Sequence, residues 1–325
     1  MTGAVLVTGG AGFIGRRLVR ALLDRGARVT VLDALVESVH GPDADPPAEL
    51  DGARFLRGDV REAADLRAAL EGAELVYHLA AETGTGESMY RARHYVDVNV
   101  GGTALLCDLI GAAERPPRRV VLASSRAVYG EGPYRCPAHG IVHPAPRSRE
   151  RLVAGCWDPQ CPTCGMTLDA HPAGPGTPSR PVSVYGLTKR DQEELLLELL
   201  PPRGVDVIAL RLQNVYGPGQ SLRNPYTGIL SIFSVRLLAG SGLNVFEDGR
   251  ESRDFVHVND VVEAFLRAGE ADLTPDAHVL DVGTGRPTSV LEVAWVRGAE
   301  RTASRLDDAL DEMRAAGLLG RAETR

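Results

Sequence analysis

The sequence contains almost no lysine. Lys189 is its only lysine, although lysine and arginine together number 36, so nearly all of the positive charge is carried by arginine. A guanidinium can replace an ammonium at most surface positions, but it is a planar fork and not a compact point charge. A single surviving lysine therefore indicates a position where the compact ammonium is needed.

The chain also lacks an excess of positive charge and any long apolar run. Acidic residues number 43 against 36 basic ones, which gives a net charge of −7 and does not point to nucleic acid or an anionic membrane surface as partner. No apolar run approaches the roughly 18 residues of a membrane-spanning helix. The first three residues carry no positive charge, and the apolar stretch that follows breaks at Gly9-Gly10. We therefore expect no signal peptide, no membrane partner and a cytoplasmic, thiol-reducing location.

Short apolar runs alternate with helical patterns along most of the chain. With 44% hydrophobic and 24% charged residues, the 325-residue chain has enough apolar material for a sizeable core. The apolar runs are residues 4–8, 28–33, 75–79, 120–123 and 207–210, and the helical segments include 63–70, 99–113 and 189–200. This alternation predicts an α/β fold with a doubly wound parallel sheet.

A glycine-rich turn lies between the first predicted strand and the first predicted helix. Gly9, Gly12 and Gly15 allow a tight turn and a close approach of the backbone to a pyrophosphate, which the helix N-terminus then stabilises. Asp33 ends the next strand, roughly 20 residues on, where a carboxylate accepts hydrogen bonds from an adenosine ribose. No arginine follows Asp33 directly, which favours NAD over NADP. The sequence therefore predicts a Rossmann-type NAD site.

Tyr185 and Lys189 are four residues apart in a helical segment, so their side chains share one face. A free phenol has a pKa of about 10 and is a poor base at neutral pH. A nearby ammonium, together with a positively charged nicotinamide, stabilises the phenolate and lowers that pKa. We therefore predict that Tyr185 is the catalytic base and that the only lysine is retained to assist it and to reach the nicotinamide ribose.

The spacing Thr8-Gly9-Gly10-x-Gly12-x-x-Gly15 resembles the extended short-chain dehydrogenase/reductase family, specifically its NAD-dependent nucleotide-sugar epimerases and dehydratases. The resemblance extends over residues 5–294 and includes Gly58-Asp59-Val60 and His78-Leu79-Ala80-Ala81. It implies a set of cofactor-binding residues: Gly9, Gly12, Phe13, Ile14, Gly15, Asp33, Asp59, Val60, Leu79, Ala80, Ala81, Asn99, Ser124, Tyr185 and Lys189. Asn99 stands where the family keeps a structural asparagine.

The same resemblance assigns the serine that completes the catalytic group. Counted back from Tyr129-Gly130, Ser125 takes the position that contacts the substrate hydroxyl, which makes Ser125, Tyr185 and Lys189 the catalytic set. The family's 4,6-dehydratases carry Asp-Glu directly after this serine, whereas this chain has Arg126 and Ala127. Elimination of water lacks its proton carriers without that pair, which favours reversible oxidation at a sugar carbon.

The resemblance also implies a substrate site for a nucleotide-diphosphate sugar. Its predicted residues are Thr83, Glu87, Ser125, Asn214 and Arg253, with residues 246–249 and 252–258 resembling the substrate-domain strand. Residues 224–228 and a cysteine-rich insert resemble a subgroup described as dTDP-rhamnose 4-epimerase-like. We place an NAD-binding domain in residues 1–200, including the insert at 132–180. Residues 201–325 form a small, mostly substrate-binding region, shortened at its C-terminal end, where we expect a helix at 306–319.

Three functions follow from these observations. The first is an NAD-dependent nucleotide-sugar 4-epimerase that oxidises C4 transiently to a ketone and returns the hydride to its other face, and we expect it to be a homodimer. The second is a one-way NAD-dependent dehydrogenase or 4-ketoreductase. The third is a catalytically weakened NAD-binding scaffold, because the family's second phosphate-binding arginine, within a Gly-Asp-x-Arg-type motif, is not found in the sequence.

The insert at 132–180 is rich in proline, glycine and cysteine, has no predicted helix, and is too long for a loop without structure. Cys136-x-x-His139 and Cys161-x-x-Cys164 are two matching pairs, each with a proline inside and a glycine after. Four such ligands form a closed, tetrahedral structural zinc site whose binding energy folds the segment. We therefore predict a zinc-knuckle insert with a non-catalytic metal. Cys156 competes with His139 as a ligand, and a disulfide is the alternative that a reducing compartment disfavours.

Overall fold

The structure is a computed structural model. It describes residues 3–174, 176–220, 228–238, 241–272 and 277–299. The strands are β1 Ala4–Thr8, β2 Arg28–Asp33, β3 Arg54–Arg57, β4 Leu75–His78, β5 Arg119–Ser125, β6 Tyr134–Cys136, β7 Gly140–Val142, β8 Asp169–Ala170, β9 Asp206–Leu212, β10 Asn214–Tyr216, β11 Ser252–His257, β12 Ala277–Val282 and β13 Pro287–Ser289. The α-helices are α1 Gly15–Asp24, α2 Glu37–His40, α3 Ala63–Leu70, α4 Thr85–Ser88, α5 Ala92–Tyr95, α6 Gly102–Gly111, α7 Arg149–Val153, α8 Val184–Leu199, α9 Ile229–Leu238, α10 Val258–Glu270 and α11 Val290–Ala299. A π-helical turn, Val96–Gly101, joins α5 to α6, and 3-10 turns occupy Ala48–Leu50, Arg126–Tyr129 and Pro201–Arg203.

Seven strands form one parallel sheet in the order β3-β2-β1-β4-β5-β9-β12. Successive side chains of a strand point to opposite faces, so Val5 and Val7 pack on one side, with Leu18 of α1, and Leu6 packs on the other, with Leu106 of α6. Helices α1 and α10 cover the first face, and α3, α6 and α8 cover the second. The predicted Rossmann-like, doubly wound sheet is therefore confirmed.

Most predicted elements lie where the sequence placed them, but the catalytic helix begins earlier. The apolar pattern predicted a helix around residues 189–200, whereas α8 begins at Val184 and so includes the predicted helical pair of Tyr185 and Lys189. Ser183 explains the difference, because its side chain accepts a hydrogen bond from Gly186 N at 3.0 Å and caps the helix. As a result, Tyr185 lies in the first turn of α8 and Lys189 in the second.

The second half of the chain returns to the large sheet and also builds a smaller lobe. Strands β9 and β12 belong to the seven-stranded sheet, although both lie beyond residue 200. A three-stranded sheet, β10-β11-β13, packs with α9 and α11 around a core that includes Tyr216, Phe233, Phe255 and Val293. Within the described residues, no helix is both long enough and apolar enough to cross a membrane.

Two predictions for this region have different outcomes. The strand expected at 246–249 is wrong, because these residues form a turn in which Glu247 has a φ of 53° and Gly249 N donates to Phe246 O at 3.2 Å. Residues 224–227 and the helix expected at 306–319 lie outside the described residues.

The cysteine-rich insert folds as a small unit. Strands β6, β7 and β8 form an antiparallel sheet, and the insert contains one short helix, α7, which the sequence analysis did not predict. A hydrogen bond connects the end of the insert to the segment just before it, because Arg180 N donates to Val128 O at 2.9 Å. Gly130 permits this closure: its φ is 64°, and a Cβ there would lie 2.0 Å from Arg180 O.

Candidate active site

A groove of about 440 Å³ runs along the carboxyl ends of the central parallel strands, which is where open α/β sheets bind ligands. Fourteen of the fifteen residues predicted to bind the cofactor line it. They are Gly9, Gly12, Phe13, Ile14, Gly15, Asp33, Asp59, Val60, Leu79, Ala80, Ala81, Ser124, Tyr185 and Lys189. The sequence and the structure therefore place one extended ligand across the sheet, from Asp33 at one end to Tyr185 at the other.

The glycine turn brings backbone, and not side chains, to the floor of this groove. Gly9 has a φ of 69°, and a Cβ there would lie 2.7 Å from Ala80 N. A Cβ on Gly15 would lie 2.3 Å from Gly9 O. Only glycine at these two positions therefore lets the turn lie this close to the residues after β4 and to the start of α1. The start of α1 lines the groove, and a helix N-terminus favours negative charge.

The far end of the groove carries fixed charges. The Asp33 carboxylate accepts hydrogen bonds from Ala11 N and Leu35 N, both at 2.9 Å, which fixes its orientation. His40 and Arg61 also line this end and were not predicted. Arg61 donates to Asp59 at 2.6 Å and lowers the pKa of that carboxyl. The only feature of the sequence that points to Arg61 is its position two residues after Asp59, which was a predicted site residue.

Asn99 is the exception among the predicted cofactor residues, because it does not line the groove. Its side chain is fully buried. Its Oδ1 accepts from Glu82 N at 2.7 Å, and its Nδ2 donates to Glu82 O at 3.1 Å and to Thr188 Oγ1 at 3.0 Å. The prediction of direct cofactor contact is therefore corrected: Asn99 ties the segment after β4 to α8, as a structural asparagine does.

The three predicted catalytic residues come together at the other end of the groove. Burial raises the pKa of Tyr185, while a hydrogen bond with Ser125 and the charge of Arg126 act in the opposite direction. Lys189 is 3% exposed and donates to Ala123 O at 2.8 Å. Burial lowers the pKa of Lys189 to about 7. The lysine is therefore held inside the protein at the groove wall.

A second cavity, of about 200 Å³, adjoins the groove, and Tyr185 and Ser125 line both. Thr85, Arg126 and Asn214 line the second cavity as well. Arg126 Nε donates to Asn214 Oδ1 at 2.7 Å, across 88 residues of sequence. Tyr185 thus lies where a long groove meets a compact polar cavity and lines both of them.

The remaining predicted substrate residues divide between the two cavities and the surface. Thr83 lines the groove, whereas Glu87 and Arg253 line neither cavity. Glu87 pairs with Arg91, four residues further along the chain, at 2.7 Å. Arg253 donates to the carbonyl of Ser252 at 2.7 Å. Neither Glu87 nor Arg253 lines a cavity in this structure, so their contact with the substrate stays a prediction.

A buried ion pair lies directly behind the catalytic residues. Arg211 donates to Glu193 through Nη2 at 2.7 Å and through Nε at 2.9 Å, and the two residues are 6% and 2% exposed. Ser124 donates to the same carboxylate. Arg211 also donates to Tyr129 at 3.1 Å, and Tyr129 donates to Asp281 at 2.9 Å. Burial alone lowers the pKa of Arg211, but its hydrogen bonds to Glu193 and Tyr129 raise it above its usual value.

This ion pair was not predicted, although the sequence carries a signal for one of its partners. Glu193 follows Lys189 by four residues and Tyr185 by eight, so all three share one face of α8. A carboxylate on the buried face of a helix requires a partner. The partner, Arg211, follows an apolar run on β9 and has no local pattern that marks it.

Four metal-ligating side chains form a cluster in the insert. The ligand atoms of Cys136, His139, Cys161 and Cys164 all lie within 4.8 Å of one another. His139 Nδ1 is 3.5 Å from the sulfurs of Cys136 and Cys161, and the sulfurs of Cys136 and Cys164 are 3.7 Å apart. A tetrahedral zinc with bonds of about 2.0–2.3 Å separates its ligand atoms by roughly 3.5–3.8 Å. Three of the ligand-atom separations are therefore close to those of a tetrahedral zinc, and the four side chains could hold a metal ion.

The structure places the remaining cysteines of the insert as follows. The cluster contains His139 and not Cys156, which is exposed. All five cysteines are free, so Cys136 and Cys164 face each other without a disulfide.

The chain is similar to a family model, to curated proteins and to solved structures. The model of the NAD-dependent epimerase/dehydratase family matches residues 5–149 and 163–283. A dTDP-L-rhamnose 4-epimerase of Burkholderia thailandensis is 40% identical over 298 residues, covering 91% of this chain and 80% of the relative. The structure of a UDP-glucose 4-epimerase of Thermotoga maritima with UDP-glucose matches with a TM-score of 0.72 and 26% identity, over 91% of this chain and 82% of that one. A UDP-glucose 4-epimerase of Thermus thermophilus, solved with NAD, matches with a TM-score of 0.69 and 28% identity over the same shares.

We predict that Glu193→Gln lowers the free energy of unfolding by about 3–5 kcal/mol, because it leaves the Arg211 guanidinium buried without its anion. Urea unfolding monitored by circular dichroism measures the loss. Asp24→Asn is the matched control: Arg20 and Asp24 are also 2.7 Å apart, but their side chains are 43% and 63% exposed, so we expect a loss below about 1 kcal/mol. Equal losses for the two variants would contradict the prediction.

Proposed function

The chain belongs to the NAD-dependent epimerase/dehydratase family, and on that premise we propose that it is a nucleotide-sugar 4-epimerase with NAD as its resident cofactor. One observation carries the proposal: Tyr185 and Ser125 lie where a cofactor-sized groove meets a compact polar cavity. This arrangement places one proton-transferring phenol between a redox cofactor on one side and a sugar on the other.

The residues of the groove fit NAD. The glycine turn and the N-terminus of α1 offer backbone N–H groups to a pyrophosphate. The fixed carboxylate of Asp33 suits the hydroxyls of an adenosine ribose and repels a 2′-phosphate, so NADP fits less well. The structural relative from Thermus thermophilus was solved with NAD, which supports the same assignment. When bound, NAD supplies the acceptor, and then the donor, of the hydride at the sugar's C4.

Tyr185 exchanges the proton of the C4 hydroxyl. Its phenol accepts that proton as the alcohol is oxidised and returns it to the C4 oxygen when the ketone is reduced. Ser125 and Arg126 lower the pKa of Tyr185 against the effect of burial, and so favour the phenolate that accepts the proton. The Ser125 hydroxyl adds a hydrogen bond to the C4 oxygen, so that the oxygen stays beside Tyr185. Lys189, fixed on Ala123 O, is positioned to hold the nicotinamide ribose.

The residues after Ser125 favour epimerisation over elimination of water. A 4,6-dehydratase needs an acid and a base beside the sugar, and Arg126 and Ala127 provide neither. Arg126 lines the cavity and carries a charge of the opposite sign to that acid pair. A one-way 4-ketoreductase uses the same catalytic residues but consumes NADH, so turnover without added NADH separates it from the epimerase. The dTDP-L-rhamnose 4-epimerase relative supports a deoxythymidine-diphosphate 6-deoxyhexose as substrate.

The insert forms the second part of the proposal, in which Cys136, His139, Cys161 and Cys164 bind one structural zinc. Four protein ligands leave no position for a substrate or a water, so the metal folds the insert and takes no part in the reaction. Arg147, in the insert, pairs with Glu247 of the substrate lobe at 2.7 Å with both side chains mostly buried. The folded insert is thereby joined to the lobe that borders the sugar cavity.

The proposal also includes a substrate region beyond residue 200, a homodimer and a cytoplasmic location. A substrate region beyond residue 200 agrees with the small sheet β10-β11-β13, which borders the sugar cavity through Asn214 and Phe255. The homodimer follows from the family resemblance, and the cytoplasmic location is consistent with the five free cysteines.

We predict that Tyr185→Phe abolishes interconversion of dTDP-sugar epimers while leaving NAD affinity within about twofold, because it removes the proton-transferring group and keeps the ring. Lys189→Arg should also fail, since the guanidinium does not reproduce the reach of the ammonium. Proton NMR of the sugar products measures turnover, and calorimetry measures NAD binding. Tyr90→Phe, at an 88% exposed tyrosine, is the control for loss of a phenol hydroxyl. Full activity in Tyr185→Phe would refute the assignment.

We predict about one zinc per chain in purified protein and less than about half a zinc per chain in Cys161→Ser, measured by elemental analysis. Cys156→Ser, a change of the same chemistry outside the cluster, should keep its zinc. Loss of zinc should weaken binding of the sugar nucleotide more than binding of NAD, because the insert contacts the substrate lobe through Arg147 and Glu247. A metal content that falls equally in both variants, or a collapse of NAD binding in Cys161→Ser, would count against the modular zinc site.

A further inference from the structure

Arg126 lacks the kind of partner that the other enclosed arginines have. Arg119 and Arg211 are almost fully buried and pair with Asp206 and Glu193 at 2.8 and 2.7 Å. Arg126 lies in the wall of the sugar cavity, where burial lowers its pKa to about 10, so it remains charged at neutral pH. No carboxylate in the described part of the chain lies within ion-pair distance of it. An enclosed cation of this kind calls for an anion from outside the fold.

The hydrogen bond between Arg126 and Asn214 also fixes which groups face a ligand. A guanidinium only donates, so the atom of Asn214 that lies 2.7 Å from Arg126 Nε must be its oxygen. The acceptor of the amide is therefore used inside the protein, and its Nδ2 donor remains for a ligand. The cavity wall thus presents the Nη groups of Arg126 and the Nδ2 of Asn214, which are all donors.

A second cation lies close by. The charge of Arg253 further lowers the pKa of Arg126, after the effect of burial. The topology accounts for this proximity: Asn214 of β10 is paired with Phe255 of β11, and Arg253 lies two residues earlier on the same face of β11. Two guanidinium groups near each other are mutually unfavourable until an anion lies between them. A diphosphate, with two negative charges, relieves that repulsion.

We propose that Arg126 binds the phosphate next to the sugar in the nucleotide-diphosphate-sugar substrate. Arg126 follows Ser125 directly, and Ser125 and Tyr185 mark the reacting end of the sugar, so the phosphate closest to the sugar is the one within reach of Arg126. A guanidinium fork matches two phosphate oxygens. The residue that stands in place of the dehydratases' acid then anchors the diphosphate while the ring of the 4-keto sugar turns over. This inference rests on the proposed function.

The test compares the binding of dTDP and dTMP by calorimetry in the full-length protein loaded with NAD. These nucleotides differ by the phosphate that would lie next to the sugar. Arg126→Gln removes the charge, and we expect it to weaken dTDP binding about 10- to 100-fold while dTMP binding changes less than about twofold. Arg126→Lys keeps the charge and should recover most of the dTDP affinity. Arg67→Gln, at an exposed arginine on α3, is the matched control and should change neither.

Equal dTDP affinity in wild type and Arg126→Gln overturns the proposal, and so does an equal loss for dTDP and dTMP, which indicates a distorted pocket. NAD affinity within about twofold of wild type shows that the variant is folded. The proposed function has a separate failure: a wild-type protein that binds NAD but neither dTDP nor UDP. If UDP binds in place of dTDP, the same comparison is made with UDP and UMP, and the same difference is expected.

Discussion

The ion pair between Glu193 and Arg211 is the constraint on which the site depends. Glu193 lies on α8, the helix that carries Tyr185 and Lys189, and Arg211 lies on β9. The same carboxylate accepts a hydrogen bond from Ser124 at the end of β5, beside Ser125. Two buried charges are tolerated only when paired, so α8 cannot slide along the sheet without leaving both unpartnered. The position of Tyr185 relative to Ser125 is thereby set by charge as well as by shape.

A second consequence is that the cofactor side and the sugar side of the site differ in electrostatic character. On the cofactor side, the sole lysine is buried and bonded to a backbone carbonyl, and its pKa is lowered to about 7. On the sugar side, Arg126 carries the charge that acts on Tyr185. The cation whose charge acts on the phenol is therefore the one that lines the sugar cavity. From the sequence, we predicted that Lys189 and a bound nicotinamide lower the pKa of Tyr185.

The sequence predicted those parts of the site that rest on local patterns. The glycine turn, Asp33 at a strand end and the spacing of Tyr185 and Lys189 each follow from a short segment whose geometry is fixed by backbone chemistry. The apolar pattern of α8 marks the helix only from residue 189, because its first turn depends on one capping hydrogen bond to Ser183. Contacts between distant segments were missed for a different reason. Arg126 and Asn214 are 88 residues apart, and no periodicity within either segment indicates that they meet.

The central claim is that C4 is oxidised and reduced within one binding event, with its hydrogen retained. The most direct test is to supply a dTDP-6-deoxyhexose deuterated at C4 to purified protein in ordinary water, without added NADH, and to follow both epimers by NMR and mass spectrometry. A 4-epimerase returns the same hydrogen to C4, so the deuterium should stay at C4 in both epimers, with no hydrogen taken up from water at C5. Loss of the label to solvent, exchange at C5, or conversion that requires added NADH would contradict the claim.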